Sequence, residues 1–394
     1  NRGFFWRNLS AAGAYGAQLA RQAAALGRAQ KAGYSLLRFG GTGNDYLTYE
    51  FGGTKCPEAS ETKQCLNETT WRSLLSFTAA ASARMIFGVS LNTGLDAKGR
   101  RLSGDFPYPW DPSNARQILQ WTIDNRLDHL LFGFELGNEQ NEKYSAKQAA
   151  ADIQILHNLT VELWPDAAKR PVLFGPDPHS YHSAKIDTYV RDWLRETRKL
   201  GVPIFAATHH EYTEVDSTSF TSAAALSVSG EIAAAVNASV RAEDPTVHLV
   251  GGEIGPHNGG SPTCSHDYMR WASFGDSLWY ADALAAKARN GYYALCRQDY
   301  IGADYGLVDC STGAPLPDFY TGLAFATFMG PKVLDTNASD GTVRSYAHCA
   351  AGATDGTVAA LVINLGDKHS AVSFPGLGNV TSAAVLAPTG EAGL

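Results

Sequence analysis

Short apolar runs alternate with longer amphipathic stretches along most of the chain. The apolar runs predict buried β-strands, at 35–39, 84–90, 129–136, 171–174, 205–209, 247–251 and 292–296. The stretches between them have the periodicity of helices that bury one face, at 17–32, 70–81, 113–124, 146–163, 184–199, 223–236 and 268–289. Strand, helix and strand at this spacing are typical of parallel β/α units.

The repetition of these units favours an α/β fold, a (β/α)8 TIM barrel over residues 1–330. Seven strands are visible and the barrel needs eight, so we expect the first strand to be missing from this chain, upstream of Asn1. A doubly wound open sheet is the alternative. Such a sheet usually carries a glycine-rich phosphate loop after its first strand, and neither GxGxxG nor GxxxxGK[ST] occurs in this sequence.

The pattern changes at about Pro331. Short strands separated by Gly and Asp turns are predicted at 343–349, 358–364 and 371–374. They indicate a small antiparallel, β-sandwich-like module over residues 331–394. Because the sequence stops in the middle of this pattern, we expect the module to be incomplete.

Composition excludes several classes of protein. Of the 394 residues, 44% are apolar and 18% are charged, which provides a sizeable core and argues against a disordered chain. The net charge of −7 gives no indication of a nucleic-acid-binding surface. The sequence has no run of 18 apolar residues, so we expect no membrane span.

Cysteines and glycosylation sequons point to an oxidising compartment. Cys56 and Cys65 flank a short polar loop and are the best candidates for a disulfide, whereas Cys296 lies in an apolar run and is expected to be a buried thiol. Together the six sequons favour a secreted, extracellular or lysosomal/vacuolar glycoprotein, with chance occurrence as the alternative. They begin at Asn8, Asn67, Asn158, Asn237, Asn337 and Asn379.

Two strand ends carry carboxylates. Glu139 follows the strand that contains Phe132 and Phe134, and Glu253 follows the apolar run at 247–251. Catalytic groups of a TIM barrel lie at the C-terminal ends of its strands, and glycoside hydrolysis needs two such carboxyl groups. Glu139 is therefore the candidate acid/base, with a pKa raised by apolar surroundings, and Glu253 is the candidate nucleophile. The alternative is that both are surface carboxylates at the start of loops.

Neighbouring side chains complete this hypothesis. Asn138 is placed to hydrogen-bond the 2-hydroxyl group of a sugar. Strand alternation directs Glu135 toward the barrel interior and Phe132, Phe134 and Leu136 toward the helices. The adjacent pair His209 and His210 would point to opposite faces of a strand, so we predict no metal site and no cofactor. We expect His209 to hydrogen-bond within the carboxylate network.

From about Leu36 to Leu365, the chain resembles the heparanase-like β-glucuronidases of glycoside hydrolase family 79. The resemblance is carried by five motifs in order: Arg38-Phe-Gly-Gly-Thr42, Phe134-Glu-Leu-Gly-Asn-Glu139-Gln-Asn141, Gly175-Pro-Asp177, His209-His210 and Tyr305-Gly-Leu-Val-Asp309. It implies a retaining TIM-barrel glycosidase with Glu139 as acid/base and Glu253 as nucleophile. In a retaining enzyme the two carboxyl groups lie about 5–5.5 Å apart.

The resemblance also implies how the sugar is bound. Gly259 and Gly260 match a loop whose backbone amides hold the carboxylate of the uronic acid, and Tyr305 matches a tyrosine that binds the same group. Gln298 and Thr42 fall on sugar-contacting positions, and Tyr212 is a candidate for orienting Glu253. The partner implied is a polysaccharide or glycoconjugate that contains glucuronic acid.

Departures from the family pattern leave alternatives open. The first barrel strand is absent and could lie on a separate N-terminal fragment, and Cys349 lacks the C-terminal partner that its counterpart has in heparanase. The stretch after Asp177 has no Arg or Lys before Lys185, which weakens the case for highly sulfated heparan sulfate. An endo-acting heparanase, a related arabinofuranosidase or xylosidase, and a catalytically silent glycan-binding protein therefore remain alternatives to the β-glucuronidase.

Overall fold

The computed structural model describes residues 11–30, 32–56, 64–91, 109–179, 185–216, 218–258, 273–302, 305–339 and 341–388. The helices are α1 (Gly13–Ala29), α2 (Glu68–Ala80), α3 (Ser113–Asp124), α4 (Ala146–Leu163), α5 (Lys185–Lys199), α6 (Ala223–Glu243), α7 (Phe274–Arg289) and α8 (Pro317–Phe328). The strands are β1 (Ser35–Phe39), β2 (Leu47–Glu50), β3 (Gln64–Asn67), β4 (Ala83–Val89), β5 (Leu131–Leu136), β6 (Val172–Gly175), β7 (Ala206–Tyr212), β8 (His248–Gly255), β9 (Ala294–Arg297), β10 (Met329–Leu334), β11 (Val343–Ala350) and β12 (Val358–Asn364).

The chain divides into two compact units, each built from several segments. The first contains residues 1–212, 232–254 and 291–298, and the second contains 213–231, 255–290 and 299–394. Their boundaries differ from the predicted division after residue 330, because α7 and α8 group with the C-terminal strands. The predicted module itself corresponds to a sheet that begins at Met329.

A seven-stranded sheet forms the core of the first unit. Its strands follow the order β1-β4-β5-β6-β7-β8-β9. The neighbouring pairs β1/β4, β4/β5, β5/β6, β6/β7 and β8/β9 are parallel. The two outer strands, β1 and β9, approach each other to Cα–Cα distances within 8 Å. Seven consecutive parallel strands that curve back on themselves, with helices between them, are the arrangement that the sequence predicted.

Three phenylalanine rings pack together in the core of this sheet. Phe132, Phe174 and Phe205 lie with ring centroids 5.4–5.9 Å apart, against a cluster formed by Ile86, Phe174, Ala206 and Val250. Gly133 has no side chain because a Cβ there would lie 2.5 Å from the Phe174 ring and from the Val172 carbonyl oxygen.

The predicted orientation is wrong for one β5 residue. Phe134 packs against Trp164 at the end of α4, on the helix side as predicted. Phe132 instead packs against Phe174 and Phe205. It lies at the start of the strand, where the space left by Gly133 is filled by rings.

The second unit contains the three-stranded antiparallel sheet β10-β11-β12. Within this unit, Arg344 of β11 forms an ion pair with the buried carboxylate of Asp282 in α7, and the Tyr346 hydroxyl donates a 2.6 Å hydrogen bond to the same carboxylate. These contacts fix the sheet to α7. The predicted strand at Ala371–Phe374 is wrong, because this largely exposed stretch pairs with no strand among the described residues.

Most predicted elements agree with the structure to within a few residues, but four were missed. These are α8, β10 and the short parallel pair β2 and β3. The predicted disulfide between Cys56 and Cys65 is confirmed and spans the segment between β2 and β3. Cys310 is also disulfide-bonded, and Cys296 is a free cysteine that packs against the aromatic cluster.

One helix among the described residues, α6, is long and apolar enough to cross a membrane by length and composition alone. The same properties are found in core helices of globular proteins. Leu226, Ala233, Val236 and Val240 of α6 are buried, and the helix occupies the place of a β/α helix between β7 and β8.

Candidate active site

Five strands of the first unit direct polar side chains to the C-terminal edge of the sheet. Parallel strands end at one edge, so residues distant in sequence meet there. The side chains come from β1, β5, β7 and β8 and from the segments that follow β5 and β6. They are Arg38, Glu135, Asn138, Glu139, Asp177, His210, Tyr212 and Glu253.

Arg38 contacts four of these groups, one of them Asp177, whose Oδ2 lies 3.7 Å from its Nη2. Its Nε lies 2.7 Å from Glu135 Oε2, and its Nη1 lies 3.2 Å from Glu253 Oε2. Its Nη2 donates to Asn138 Oδ1 over 3.2 Å. A Cβ at Gly40 would lie 2.7 Å from the guanidinium carbon, which explains the glycine that follows Arg38 and Phe39 in the sequence. The guanidinium is therefore fixed between the buried Glu135 and the C-terminal edge of the sheet.

His210 is the second cation of the cluster. It is fully buried, and its Nδ1 lies 2.8 Å from Glu139 Oε1 and 3.5 Å from Glu253 Oε2. Its Nε2 lies 3.2 Å from Asp177 Oδ1. The imidazole thus lies against three carboxylates at once, a position that favours its charged form.

Glu139 and Glu253 are the carboxylates of this cluster that reach solvent. Their side chains are 19% and 10% exposed, whereas those of Glu135 and Asp177 are 0% and 1% exposed. One oxygen of Glu139 and one of Glu253 lie within 4.8 Å of each other. A molecule that approaches from solvent therefore meets a closely spaced pair of carboxylates.

Two hydroxyl-bearing residues contact this pair or its neighbours. The Tyr212 hydroxyl donates a short hydrogen bond to Glu253 Oε1. Thr42, which is exposed, has its hydroxyl oxygen 3.5 Å from Asn138 Nδ2. Both residues were selected from the sequence, and the structure places both at this edge of the sheet.

The buried groups have strongly shifted pKa values. Burial raises the pKa of Glu135 to about 8, in spite of the nearby Arg38. Burial also disfavours ionisation of Asp177, but the charges of Arg38 and His210 outweigh it and lower its pKa to about 2. Burial would lower the pKa of His210, but Glu253, Asp177 and Glu139 raise it to about 10. At neutral pH the imidazole is therefore protonated.

The expected raised pKa of Glu139 is wrong. Burial does raise it, but the hydrogen bond and charge of His210, together with the charges of His179 and Arg38, lower the pKa below its usual value. The expectation rested on the apolar strand before Glu139 and left out the charge of a histidine in the carboxylate network. In the unliganded site the proton therefore resides on His210.

The structure also corrects the histidine assigned to this network. His210 lies in the carboxylate cluster, whereas His209 Nε2 lies 2.8 Å from the Tyr292 hydroxyl. Adjacent residues of a strand face opposite sides, and the residue that shares a face with Tyr212 is His210. That relation was available from the sequence, because His210 and Tyr212 are two residues apart.

The remaining sugar-binding candidates are Gln298, Tyr305, Gly259 and Gly260. Gln298 follows β9 in the first unit, and its backbone N–H donates to the Ile254 carbonyl over 2.9 Å. Tyr305 is buried in the second unit. Gly259 and Gly260 lie outside the described residues.

Four members of the cluster were not selected as site residues from the sequence: Arg38, Glu135, Asp177 and His210. Each was nevertheless detectable as a charged or titratable residue within or directly after a strand of low polarity. Charged side chains are rarely buried unless they are paired, so an Arg and a Glu that both face the barrel interior predict an ion pair.

Glu139, His210 and Glu253 are also close enough for each to offer one atom to a metal ion. A protonated imidazole has no lone pair to donate, and the pKa of His210 is raised to about 10. The cluster in this protonation state fits a hydrogen-bonded acid–base site better than a metal centre.

Comparison with known proteins identifies the relatives of the chain. The N-terminal domain of glycosyl hydrolase family 79 matches residues 11–285. Heparanase-like protein 3 of Arabidopsis thaliana is 28% identical and aligns over 87% of this chain and 64% of its own length. Baicalin-β-D-glucuronidase of Scutellaria baicalensis is 25% identical over 80% of this chain and 63% of its length. Heparanase of Gallus gallus is 26% identical over 79% and 60%.

This chain thus spans about three fifths of the length of these curated relatives. Solved structures support the fold. A 4-O-α-L-rhamnosyl-β-D-glucuronidase from Fusarium oxysporum covers 93% of this chain and 77% of its own, with a TM-score of 0.56 and 16% identity. A family 51 α-L-arabinofuranosidase from Bifidobacterium longum covers 92% and 79%, with a TM-score of 0.61 and 12% identity. The predicted fold class, a TIM-barrel arrangement followed by a small antiparallel sheet, is confirmed.

Proposed function

Because the chain belongs to glycosyl hydrolase family 79, we propose that it hydrolyses β-linked glucuronides with retention of configuration at the anomeric carbon. The observation that carries the proposal is the closeness of Glu139 and Glu253, whose oxygens lie within 4.8 Å of each other. Retaining glycosidases hold their two carboxyl groups about 5–5.5 Å apart, whereas inverting enzymes need about 6.5–9.5 Å to admit a water molecule.

In the first step, Glu253 attacks the anomeric carbon and the bond from that carbon to the leaving oxygen breaks. Arg38 Nη1, at 3.2 Å, and the Tyr212 hydroxyl fix the two carboxylate oxygens of Glu253. The product is a glycosyl ester of Glu253, and the leaving oxygen takes a proton from Glu139. Asn138, held by Arg38 Nη2, is placed to bind the 2-hydroxyl group of the sugar.

The proton that Glu139 donates comes from His210. The two side chains share a 2.8 Å hydrogen bond, and His210 is protonated at neutral pH because its pKa is raised to about 10. Transfer from Nδ1 to Oε1 leaves a neutral imidazole and a carboxylic acid. In the second step, Glu139 takes a proton from water, whose oxygen attacks the anomeric carbon and releases Glu253.

Glucuronic acid is the proposed sugar. Two curated relatives are named glucuronidase or heparanase, and the Gly259-Gly260 loop and Tyr305 match the family's residues for a uronic acid carboxylate. Backbone N–H groups bind an anion without adding a charged side chain. A glucuronide within a polysaccharide or glycoconjugate is therefore the proposed partner. The disulfides and the six sequons support a secreted or lysosomal/vacuolar location.

Hydrolysis of 4-nitrophenyl β-D-glucuronide by the wild-type protein and by Glu253→Gln tests this proposal. We expect cleavage by the wild type, loss of at least ~10³-fold in Glu253→Gln, and first release of the β-anomer in proton NMR. The matching xyloside and arabinofuranoside serve as neutral-sugar controls. Shortening of a glucuronan without cleavage of the aryl glucuronide would indicate an endo-acting enzyme. Binding of the polymer without any cleavage would overturn the enzymatic proposal.

A further inference from the structure

The backbone at Glu139 has an unusual conformation. Its φ angle is +56°, in the left-handed region. For a residue with a side chain other than Asn or Asp this conformation is unfavourable, so it persists only where surrounding contacts impose it. The residues that impose it therefore control where the carboxyl group of Glu139 points.

Asp45 forms hydrogen bonds with the residues immediately before and after Glu139 in the sequence. Its Oδ2 accepts a 3.1 Å hydrogen bond from the backbone N–H of Asn138 and a 2.8 Å hydrogen bond from Nε2 of Gln140. The same Nε2 lies 2.6 Å from the carbonyl oxygen of Asn138. Asp45 and Gln140 thus hold both polar groups of the Asn138 backbone. The backbone N–H of Glu139 donates to the carbonyl oxygen of Asp177 over 3.1 Å.

Asp45 is itself rigidly held. It is 1% exposed and lies in a short 3₁₀ helix, Thr42–Tyr46, that follows β1. The Ser90 hydroxyl donates to its carbonyl oxygen over 3.1 Å, and the side chain of the preceding Asn44 donates to the carbonyl oxygens of Phe39 and Gly88. Through these contacts, Asp45 fixes the position of Glu139 relative to the ends of β1 and β4.

We propose that Asp45, together with Gln140, is a positioning residue for the reaction. The pair holds Glu139 in the left-handed conformation, from which its carboxyl group reaches His210 at 2.8 Å and Glu253 within 4.8 Å. This inference rests on the proposed acid/base function of Glu139.

Kinetics with two leaving groups test the proposal. Phenyl β-D-glucuronide needs a proton on its leaving oxygen, whereas 2,4-dinitrophenyl β-D-glucuronide does not. A displacement of about 1 Å can cost ~10²-fold in rate, so we expect Asp45→Ala to lose ~10²-fold in kcat/KM on the phenyl substrate and less than ~10-fold on the dinitrophenyl substrate. Asp45→Asn, which keeps an oxygen acceptor for the Asn138 N–H, should recover part of the loss.

Asp152→Asn is the matched control. Asp152 is also buried, and it accepts a 3.0 Å hydrogen bond from the backbone N–H of Trp110. A loss caused only by instability would affect both substrates equally in this variant and in Asp45→Ala. Equal losses of Asp45→Ala on the two substrates would overturn the proposal. Gln140→Leu, at a half-buried position, provides a milder variant in case Asp45→Ala does not fold.

A crystal structure of Asp45→Ala or Gln140→Leu gives a test that does not depend on hydrolysis. We expect the φ angle of Glu139 to leave the left-handed region and its Oε1 to move away from His210 Nδ1. Retention of both features would overturn the positioning role, even where the wild type is active. An inactive wild type with the expected displacement in the variants would reject the proposed function and support the positioning role.

Discussion

The Nδ1 atom of His210 lies 2.8 Å from Oε1 of Glu139, so a partly exposed carboxylate of the site is paired with a buried imidazolium. The pairing lowers the pKa of Glu139 and raises that of His210 to about 10. Two such strongly coupled groups titrate as a unit. In the proposed mechanism, the proton for the leaving group is therefore held on His210, next to Glu139, which transfers it.

Replacement of His210 by Gln should shift the pH dependence of hydrolysis. Without the imidazolium, Glu139 must hold the proton itself. Burial raises its pKa, but a carboxylic acid still loses its proton at lower pH than the wild-type pair, in which His210 has a pKa of about 10, so the limb on which activity falls with rising pH should move to lower pH. We expect kcat/KM at the optimum to fall by ~10²-fold or more, the usual contribution of general acid catalysis. The measurement is kcat/KM for an aryl glucuronide between pH 4 and pH 9.

His209→Gln is the control for this experiment. His209 is equally buried but lies against Tyr292 instead of the carboxylates. This variant could lose stability, yet its pH profile should keep the wild-type position. A profile that shifts equally in both variants would contradict the pairing of His210 with Glu139.

Removal of the Tyr212 hydroxyl should weaken the nucleophile's fixation. Tyr212 donates a hydrogen bond to Glu253 Oε1, and a hydrogen bond to a charged group contributes about 1.5–3 kcal/mol. Tyr212→Phe should therefore lower kcat by roughly 10- to 100-fold, with a smaller change in KM. Tyr292→Phe, which loses a hydroxyl bonded to His209, should keep kcat within a few-fold of the wild type. Equal losses of kcat would show that the effect arises from general destabilisation.

The fold was largely predictable because strand and helix lengths recur along the chain. The predicted helices at 113–124 and 146–163 coincide with α3 and α4, since polar residues limit their apolar periodicity at both ends. The pair β2 and β3 was missed because buried and half-buried residues alternate in each, which leaves no apolar run of the kind that predicted the other strands. The stretch 371–374 has the composition of a strand, but a strand also needs a neighbour, which composition does not reveal.

The two carboxylates of the site could be predicted from the local sequence. Glu139 and Glu253 follow apolar strands directly, so their meeting at one edge follows from parallel topology. The partners of these carboxylates depend on register between distant strands. Arg38 and Glu135, for example, are 97 residues apart, and Arg38 Nε donates a 2.7 Å hydrogen bond to Glu135 Oε2. The lowered pKa of Glu139 depends on such a distant contact and could not be inferred from its neighbours in sequence.

Protonation of Glu135 should make stability depend on pH. Burial raises its folded pKa to about 8, above the value of about 4.3 expected in the unfolded chain. The protonated group therefore contributes stability at low pH that is lost as pH rises from about 4 through 8. Glu135→Gln mimics the protonated carboxyl group and should flatten this part of the profile, with a melting temperature that falls by a few degrees less than that of the wild type between pH 5 and pH 8.

Thermal unfolding at pH 5, 6.5 and 8 measures this difference. The slope is compared and not the absolute melting temperature, because the substitution also changes the hydrogen bond that Arg38 donates to this side chain. Glu162→Gln is the control, since Glu162 lies on the surface and pairs with Arg116. It should leave the slope between pH 5 and pH 8 unchanged. Parallel profiles for the wild type and Glu135→Gln would show that Glu135 is ionised throughout this range.

Gly133→Ala should destabilise the first unit from inside its sheet. The added Cβ would lie 2.5 Å from the Phe174 ring and from the Val172 carbonyl oxygen. The carbonyl is part of β6, which pairs with β5, so the strands must separate or the ring must leave the aromatic cluster. Forcing one extra carbon into a packed core costs about 1–3 kcal/mol, which urea denaturation would measure as a lower midpoint. Gly378→Ala, at a position with no neighbouring atom within 4 Å, should stay within about 0.5 kcal/mol of the wild type.

Because Gly133 lies two residues before Glu135 on the same strand face, a displaced β5 should also weaken the contact with Arg38. A Gly133→Ala protein with wild-type stability would show that β5 and β6 are not packed as closely as their register requires.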